Sequence, residues 1–320
     1  MKKKVNIQIF LLVALIAVCL LRIAAPPERG RTKNYNISVI VRGNMDTSWS
    51  NLKRGAEDAA ADLGVSVRFV ASLEGNTAEE QLELLDKELE GSDAILISPV
   101  NRILMKEPLL ARAGKKIPIL FFESGISGEN DLPLLCCDNE QMGRDMATTI
   151  INHGNVRGKI IVFSGNGICS SVTERQKGFM AVMEGTENEC RVESAGSFRP
   201  EALEKILARE KPDAVIALDD RILENLTRAG KSYRQQDAAA KLQIYGIGCS
   251  SEILKSLENQ EIVSIAVQDD YAIGYLGVQE AVAALQGKEV RGNEKIRYII
   301  TNSNHMYDKT DQRLLFPFVR

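Results

Sequence analysis

The chain has 320 residues and a near-balanced charge, 40 Lys and Arg against 43 Asp and Glu, for a net charge of −3. That balance, with no basic patch interleaved with aromatics, argues against nucleic acid as a partner. Two histidines and no Cys-x-x-Cys spacing argue against a zinc site, and no cofactor motif is complete, so neither a metal nor a cofactor is expected.

In chain order, Lys2, Lys3 and Lys4 come first, followed by thirteen unbroken apolar residues from Ile9 to Leu21. Counted from Val5 to Ala25 the segment is 21 residues long. That just spans a hydrocarbon core of ~30 Å. A basic flank before a short apolar run also describes a secretory signal. Pro26, directly after Ala24-Ala25, disfavours cleavage and so favours an uncleaved anchor. Lipid attachment at Cys19 is disfavoured by Val18 before it and by Leu20 and Leu21 after it. In each case the lysines stay inside and the remainder is extracytoplasmic. Residues 26–35 are polar and aperiodic and read as a linker from the membrane.

Short Val- and Ile-rich runs then alternate with helical patterns. The runs are Ile37 to Val41, Val65 to Val70, Ala94 to Ile97, Ile117 to Phe122, Ile160 to Phe163, Ala214 to Leu218, Leu242 to Ile247 and Ile262 to Val267. Most are apolar throughout, as in parallel strands covered on both faces. Between them, Leu82, Leu85 and Leu89, and then Leu203, Ile206 and Leu207, each fall on one helical face. Alternation of this length implies right-handed βαβ units. The segment Ser92-Asp93-Ala94-Ile95-Leu96-Ile97 is echoed by Pro212-Asp213-Ala214-Val215-Ile216-Ala217, which suggests two copies of one α/β lobe. Ligands in open α/β sheets bind beyond the carboxyl ends of the strands, so two facing lobes would form a cleft there. Beyond the apolar segment lie five cysteines, Cys136, Cys137, Cys169, Cys190 and Cys249; free buried thiols are the expected state.

The ordered motifs of the exported part resemble the periplasmic binding proteins of the ribose-binding type, relatives of the ligand-binding domains of LacI-like repressors. The resemblance runs from about Asn36 to Val319. It is carried by Leu52-Lys53-Arg54-Gly55-Ala56, Ile97-Ser98-Pro99, Ile117-Pro118-Ile119, Cys137-Asp138-Asn139, Glu174-Arg175-Gln176-Lys177-Gly178-Phe179, Asp219-Asp220, Ile265-Ala266-Val267-Gln268 and Gly274. It implies an α/β fold of two doubly wound parallel-sheet lobes joined by a three-segment hinge, the type I periplasmic binding protein fold, preceded by the N-terminal transmembrane or signal helix. The first lobe would be 36–137 plus 269–300 and the second 138–268 plus 301–320. The hinges would lie near Cys137-Asp138, Gln268-Asp269 and Ile300-Thr301.

The resemblance also proposes ligand contacts. Trp49, the single tryptophan, follows the first strand in a polar stretch and offers a flat face to a sugar ring. A ring capping the next helix is the other reading. Asn101 takes the place of an acidic residue that bonds hydroxyls, or else caps a turn. Glu123 ends a strand where a carboxylate accepts two hydroxyls. Asp138 lies at a hinge and is equally readable as structural. Of the adjacent Asp219 and Asp220, Asp219 is assigned to the cleft and Asp220 to helix capping. Gln268 ends the last strand of the second lobe at a hydrogen-bonding position. Three departures loosen the ligand's identity. Thr173 and Ser124 stand where arginines are common, and Gly248-Cys249 where an aspartate grips the sugar. The resemblance therefore leads to a sugar or polyol, not specifically a pentose, with a quorum-signal type molecule or another polar non-sugar metabolite as the alternative ligand, sensed through a two-component system.

Two other classes fit less well. An enzyme would need an acid–base or nucleophile constellation. Adjacent Asp219 and Asp220 do not face each other across a bond. Ser164-Gly165-Asn166-Gly167 is similar to a dinucleotide loop but lacks its third glycine. A repressor would need a basic helix-turn-helix where this chain has its apolar segment. The expectation is a non-enzymatic binding protein that hands its ligand to an ABC permease or presents it to a sensor histidine kinase.

Overall fold

The computed structural model describes residues 34–43, 49–72, 76–113, 117–126, 132–165, 168–194, 198–236, 241–292 and 295–316. The anchor expected over 1–25 and all but the end of the expected linker lie outside the described residues. Among the described residues no helix is long and apolar enough to cross a membrane.

The first half alternates as β1 (Asn36–Ile40), α1 (Ser50–Leu63), β2 (Ser66–Val70), α2 (Ala78–Gly91), β3 (Ala94–Ile97), α3 (Lys106–Arg112), β4 (Ile119–Phe122) and β5 (Leu134–Cys137). The second half continues α4 (Asn139–Asn152), β6 (Lys159–Ser164), α5 (Ser170–Met183), β7 (Glu189–Ser194), α6 (Pro200–Glu210), β8 (Ala214–Ala217), α7 (Asp220–Gln236), β9 (Gln243–Ile247), α8 (Ser251–Glu258) and β10 (Ser264–Gln268). The chain then returns through α9 (Asp270–Leu285), β11 (Lys295–Ile296), β12 (Tyr298–Thr301) and α10 (Lys309–Leu315).

Two six-stranded sheets result, in the orders β11-β5-β4-β3-β1-β2 and β12-β10-β9-β8-β6-β7. All pairings are parallel except β12 against β10. The echoed segments occupy equivalent places. Ala94 of β3 pairs with Ile37 of β1, and Ala214 of β8 pairs with Ile160 of β6. Both strands are buried along their whole length. Alternate residues of β8 enter separate apolar clusters on opposite faces, Ala214 and Ile216 in one, Val215 and Ala217 in the other. This two-sided burial is why these strands read as unbroken apolar runs. By contrast β7 lies at a sheet edge with both ends exposed, and no apolar run marks it.

Each lobe contains one close helix crossing, α1 on α9 and α4 on α5. A glycine from each helix sits at the contact. A Cβ on Gly55 would overlap the Tyr271 carbonyl, and one on Gly274 the Leu52 carbonyl. In the second lobe Gly143 and Gly178 stand in the same relation to the carbonyls of Arg175 and Glu140. Three of these four glycines or their neighbours lie in the motifs that carried the family resemblance.

The chain passes between sheets three times. Asp138 lies between β5 and α4, and Asp269 between β10 and α9. The third passage falls at Arg297, not at Ile300-Thr301. Tyr298 to Thr301 form β12, in register with Gln268 to Ile265 of the second sheet, so the first lobe's return ends at Ile296. The crossings are tied together. The Asp269 N–H donates to the Arg297 carbonyl at 3.1 Å, and Arg297 Nε donates to Asp269 Oδ2 at 3.1 Å.

Candidate functional site

The carboxyl ends of β1, β4, β8, β9 and β10 converge on a pocket between the lobes, of about 550 Å³ including its open mouth. From the first lobe come Arg42, Trp49, Glu123 and, at the start of α9, Asp270. From the second come Arg175, Asp219, Asp220, Gly248 and Cys249, with Gln268 at the crossing.

Arg42 follows β1 and reaches down into the cleft. Its Nη2 donates to Glu123 Oε2 at 2.7 Å, its Nε to Ser98 Oγ at 3.1 Å and its Nη1 to Cys169 Sγ of the other lobe at 3.2 Å. Its guanidinium lies 5.9 Å from the centroid of the Trp49 ring. Trp49 is only 9 % exposed, sets its ring edge-on to Phe122, and donates Nε1–H to the Arg42 carbonyl at 3.1 Å. The ring expected to stack on a ligand is thus already engaged in holding Arg42 in place.

Glu123 ends β4 in a left-handed backbone, φ 60, and is buried. It also accepts from Ser98 Oγ at 3.2 Å, and its Oε1 lies 3.6 Å from Arg175 Nη2. Burial alone would push its carboxyl up. The guanidinium groups of Arg42 and Arg175 outweigh that and hold it below the usual carboxylate range. Arg175 is itself buried. It donates Nε–H to Asn139 Oδ1 at 2.9 Å, Nη1–H to the Leu218 carbonyl at 3.1 Å and Nη2–H to Gln268 Oε1 at 3.2 Å. Gln268 in turn donates Nε2–H to Asp270 Oδ1 at 2.7 Å.

Asp219 caps α7 by accepting the Ile222 N–H at 2.9 Å. Burial raises its carboxyl even though that hydrogen bond and Arg42, Arg175 and Arg221 act against the rise. Burial likewise pushes Asp270 up to about 7, with Asp220 and Glu123 adding to the rise and Gln268 and Arg175 opposing it. Gly248 has φ +150, and a Cβ there would lie 2.5 Å from the Cβ of Asp220. The missing side chain is what admits Asp220 to this wall.

Beside the pocket the lobes touch directly. Ser124 Oγ and Ser171 Oγ are 3.0 Å apart, the Gly125 N–H donates to Ser170 Oγ at 2.9 Å, and the Arg102 N–H donates to the Ile168 carbonyl at 2.8 Å. Ser124, at a position where the resemblance leads one to expect arginine, belongs to this seam.

Of the residues singled out in the sequence, Trp49, Glu123, Asp219 and Gln268 line one pocket, and Asn101, Asp138 and Thr173 are not among its lining residues. Asn101 Oδ1 accepts the N–H groups of Ile103 and Leu104 at 3.0 and 2.9 Å, so its amide oxygen closes a turn. Asp138 caps α4 through the Gln141 N–H at 3.1 Å and pairs with Lys295. The Thr173 hydroxyl donates to the Cys169 carbonyl one turn back at 2.9 Å. In each case the side chain hydrogen-bonds a backbone group of its own local segment. Asp220, assigned to capping, lines the pocket as well. Arg42, Arg175 and Asp270 went unassigned. Their one sequence signal was a charge set directly against an apolar strand or within a helix-opening motif. The five cysteines outside the apolar segment are free thiols, and burial pushes Cys136 and Cys249 up to about 12.

A family model described as a periplasmic binding protein domain matches residues 37–289. A comparison with curated protein sequences finds no match. Solved structures match in fold. A carbohydrate transporter solute binding protein from Agrobacterium radiobacter, in complex with D-arabinose, has a TM-score of 0.81 at 21 % identity, covering 88 % of this chain and 99 % of that one. An ABC transporter solute binding protein from Agrobacterium vitis with bound D-fucose has a TM-score of 0.78 at 19 % identity, covering 88 % and 100 %. The XylFII–LytSN complex has a TM-score of 0.76 at 19 % identity, covering 85 % and 98 %.

Proposed function

Because this chain belongs to the periplasmic binding protein family, we propose that it captures a sugar or polyol between its two lobes, outside the cytoplasm, and delivers or presents it without chemical change. Membership of the family carries the extracytoplasmic location and the binding role. One observation supports the ligand class above the rest. Asp219, Asp270 and Gln268, from a strand end in the second lobe and from the crossing between lobes, turn hydrogen-bonding groups onto one pocket. Hydroxyl donors of a small polyol would bridge such groups, and a bridge between lobes stabilises closure. The sugar-bound structures that share the fold support the same class.

The N-terminal apolar segment serves, in this reading, as an uncleaved anchor that keeps the lobes at the membrane surface. Two receivers fit a tethered binder, an ABC permease and a sensor histidine kinase. The fold similarity to XylFII in complex with LytSN supports keeping the second alongside the first.

The test is a thermal-shift screen of the detergent-solubilised full chain against monosaccharides and polyols, with mass spectrometry of any co-purified ligand. A true ligand at a hundred times its Kd should stabilise the fold by about 2.7 kcal/mol and alter Trp49 emission through the Arg42 contact. If no sugar or polyol raises the melting temperature and none co-purifies, the reading fails. Affinity capture from membranes, with mass spectrometry of the partner, separates permease from kinase.

A further inference from the structure

The charged groups of the cleft are unevenly used. Each guanidinium nitrogen of Arg42 already meets a protein acceptor, as does each of Arg175. Two of the carboxylates are in the opposite state. Asp219 uses Oδ1 for the Ile222 N–H, and Asp270 uses Oδ1 for Gln268 Nε2–H. Neither Oδ2 has a hydrogen-bond partner among the described residues. The open hydrogen-bonding capacity of the pocket is therefore weighted towards acceptors, and a ligand must supply the donors.

The charges are also unequal. Among the described residues, Glu123, Asp219, Asp220 and Asp270 line the pocket with Arg42 and Arg175 as its cations. Arg221 acts on Asp219 from two positions further along, its guanidinium lying against Gly43 of the other lobe. Among the described residues, four carboxylates against three guanidinium groups leave one negative charge in surplus, in a cleft that is partly removed from water. An isolated charge of that kind is costly unless it is paired or neutralised. The surplus centres on Asp270, which faces Asp220 and Glu123, and whose ordinary charge is opposed by burial. Neutralisation by a proton is one resolution, and a bound cation is the other.

We propose that the ligand carries a protonated amine as well as hydroxyls, in the class of aminodeoxy sugars and amino polyols, with its ammonium seated on Asp270 and a hydroxyl on Asp219. This rests on the reading of the cleft as a sugar or polyol site and narrows it. An ammonium on Asp270 donates to its open oxygen and offsets the surplus charge. A neutral hydroxyl at the same place does only the first. An acid sugar would add a second uncompensated charge and is rejected.

The experiment is calorimetric titration of the detergent-solubilised full chain at pH 7 with matched series, namely glucose, glucosamine and glucuronate, then the galactose and mannose equivalents. In at least one series the amine should bind tenfold or more tighter than the neutral parent, with no detectable binding of the acid. Asp270→Asn keeps the shape and removes the charge. It should reduce that preference to threefold or less, whatever its affinity for the neutral sugar, with its melting temperature checked to confirm folding. If neutral parents bind as tightly as their amines, or acids bind better, the proposal is overturned while the sugar reading stands. If no member of any series binds, the proposal is overturned, and the thermal-shift screen against the wider set of sugars and polyols decides the sugar reading separately.

Discussion

The two lobes are built on one plan and put to different uses. Five strands of the first sheet have equivalents in the second, and each lobe locks its main helix pair through facing glycines. Yet the first lobe gives the cleft a cation and an internal ion pair, Arg42 with Glu123, braced by Trp49. The second gives it Arg175 and a pair of adjacent carboxylates at the start of α7, where Gly248 presents no side chain as an obstacle. The sheet edge is thus a common platform, and the residues one or two positions beyond each strand decide what it holds. The sixth strands differ too, β11 joining in parallel and β12 antiparallel.

The sharpest test of this contrast is Glu123→Gln, which leaves half-buried Arg42 and buried Arg175 without their shared carboxylate. Breaking a buried pair from one side costs about 3–5 kcal/mol, measurable by urea unfolding at pH 7. Cys169, packed on Arg42, should also gain reactivity towards thiol reagents. A loss below about 1 kcal/mol would mean that the pair is no brace. Next in size, Gly178→Ala and Gly55→Ala each force a Cβ into the facing helix and should cost about 2–3 kcal/mol. Equal losses confirm that the two crossings are equivalent. A tolerated Gly55→Ala beside an unfolded Gly178→Ala would break the symmetry.

Asp270 has a pH signature. Its folded carboxyl titrates at about 7, whereas in an unfolded chain it titrates near 4. Between those values the folded state binds more protons, so Asp270 makes the protein lose stability as pH rises through that window. Asp270→Asn should abolish that loss and gain on the parent protein from pH 5 to pH 8 in thermal melts. An identical pH profile for the two proteins would refute the shift. The smallest effects belong to residues outside the pocket. Asp138→Ala removes a helix cap worth about 1 kcal/mol and should leave ligand affinity within twofold, as should Thr173→Val. A tenfold loss at Thr173 would return that residue to the site.

The fold is largely legible in the sequence. The runs at Ala94 to Ile97 and Ala214 to Leu218 betray their two-sided burial by composition alone, and their echo gives the lobe repeat. The edge strand β7 was not legible, because exposure leaves it no apolar run. The candidate site was half legible. Trp49, Glu123, Asp219 and Gln268 each sit beside a strand end, where a polar group after an apolar run is conspicuous. Asn101, Asp138 and Thr173 have the same local look, but backbone N–H or carbonyl groups of their own segments claim them.

Strand and helix patterns, the apolar N-terminal segment and the repeated lobe thus follow from local sequence, since burial and periodicity act over a few residues at a time. The meeting of Arg42 with Glu123, of Arg175 with Asn139 and Gln268, and of Asp270 with Gln268 follows only from the tertiary structure. Sequence separations such as 81 between Arg42 and Glu123, and 93 between Arg175 and Gln268, are closed by parallel topology and by the crossings at Asp138, Asp269 and Arg297. Spacing along the chain carries no record of which side chains meet there, because each partner is chosen by where its strand lies in the sheet.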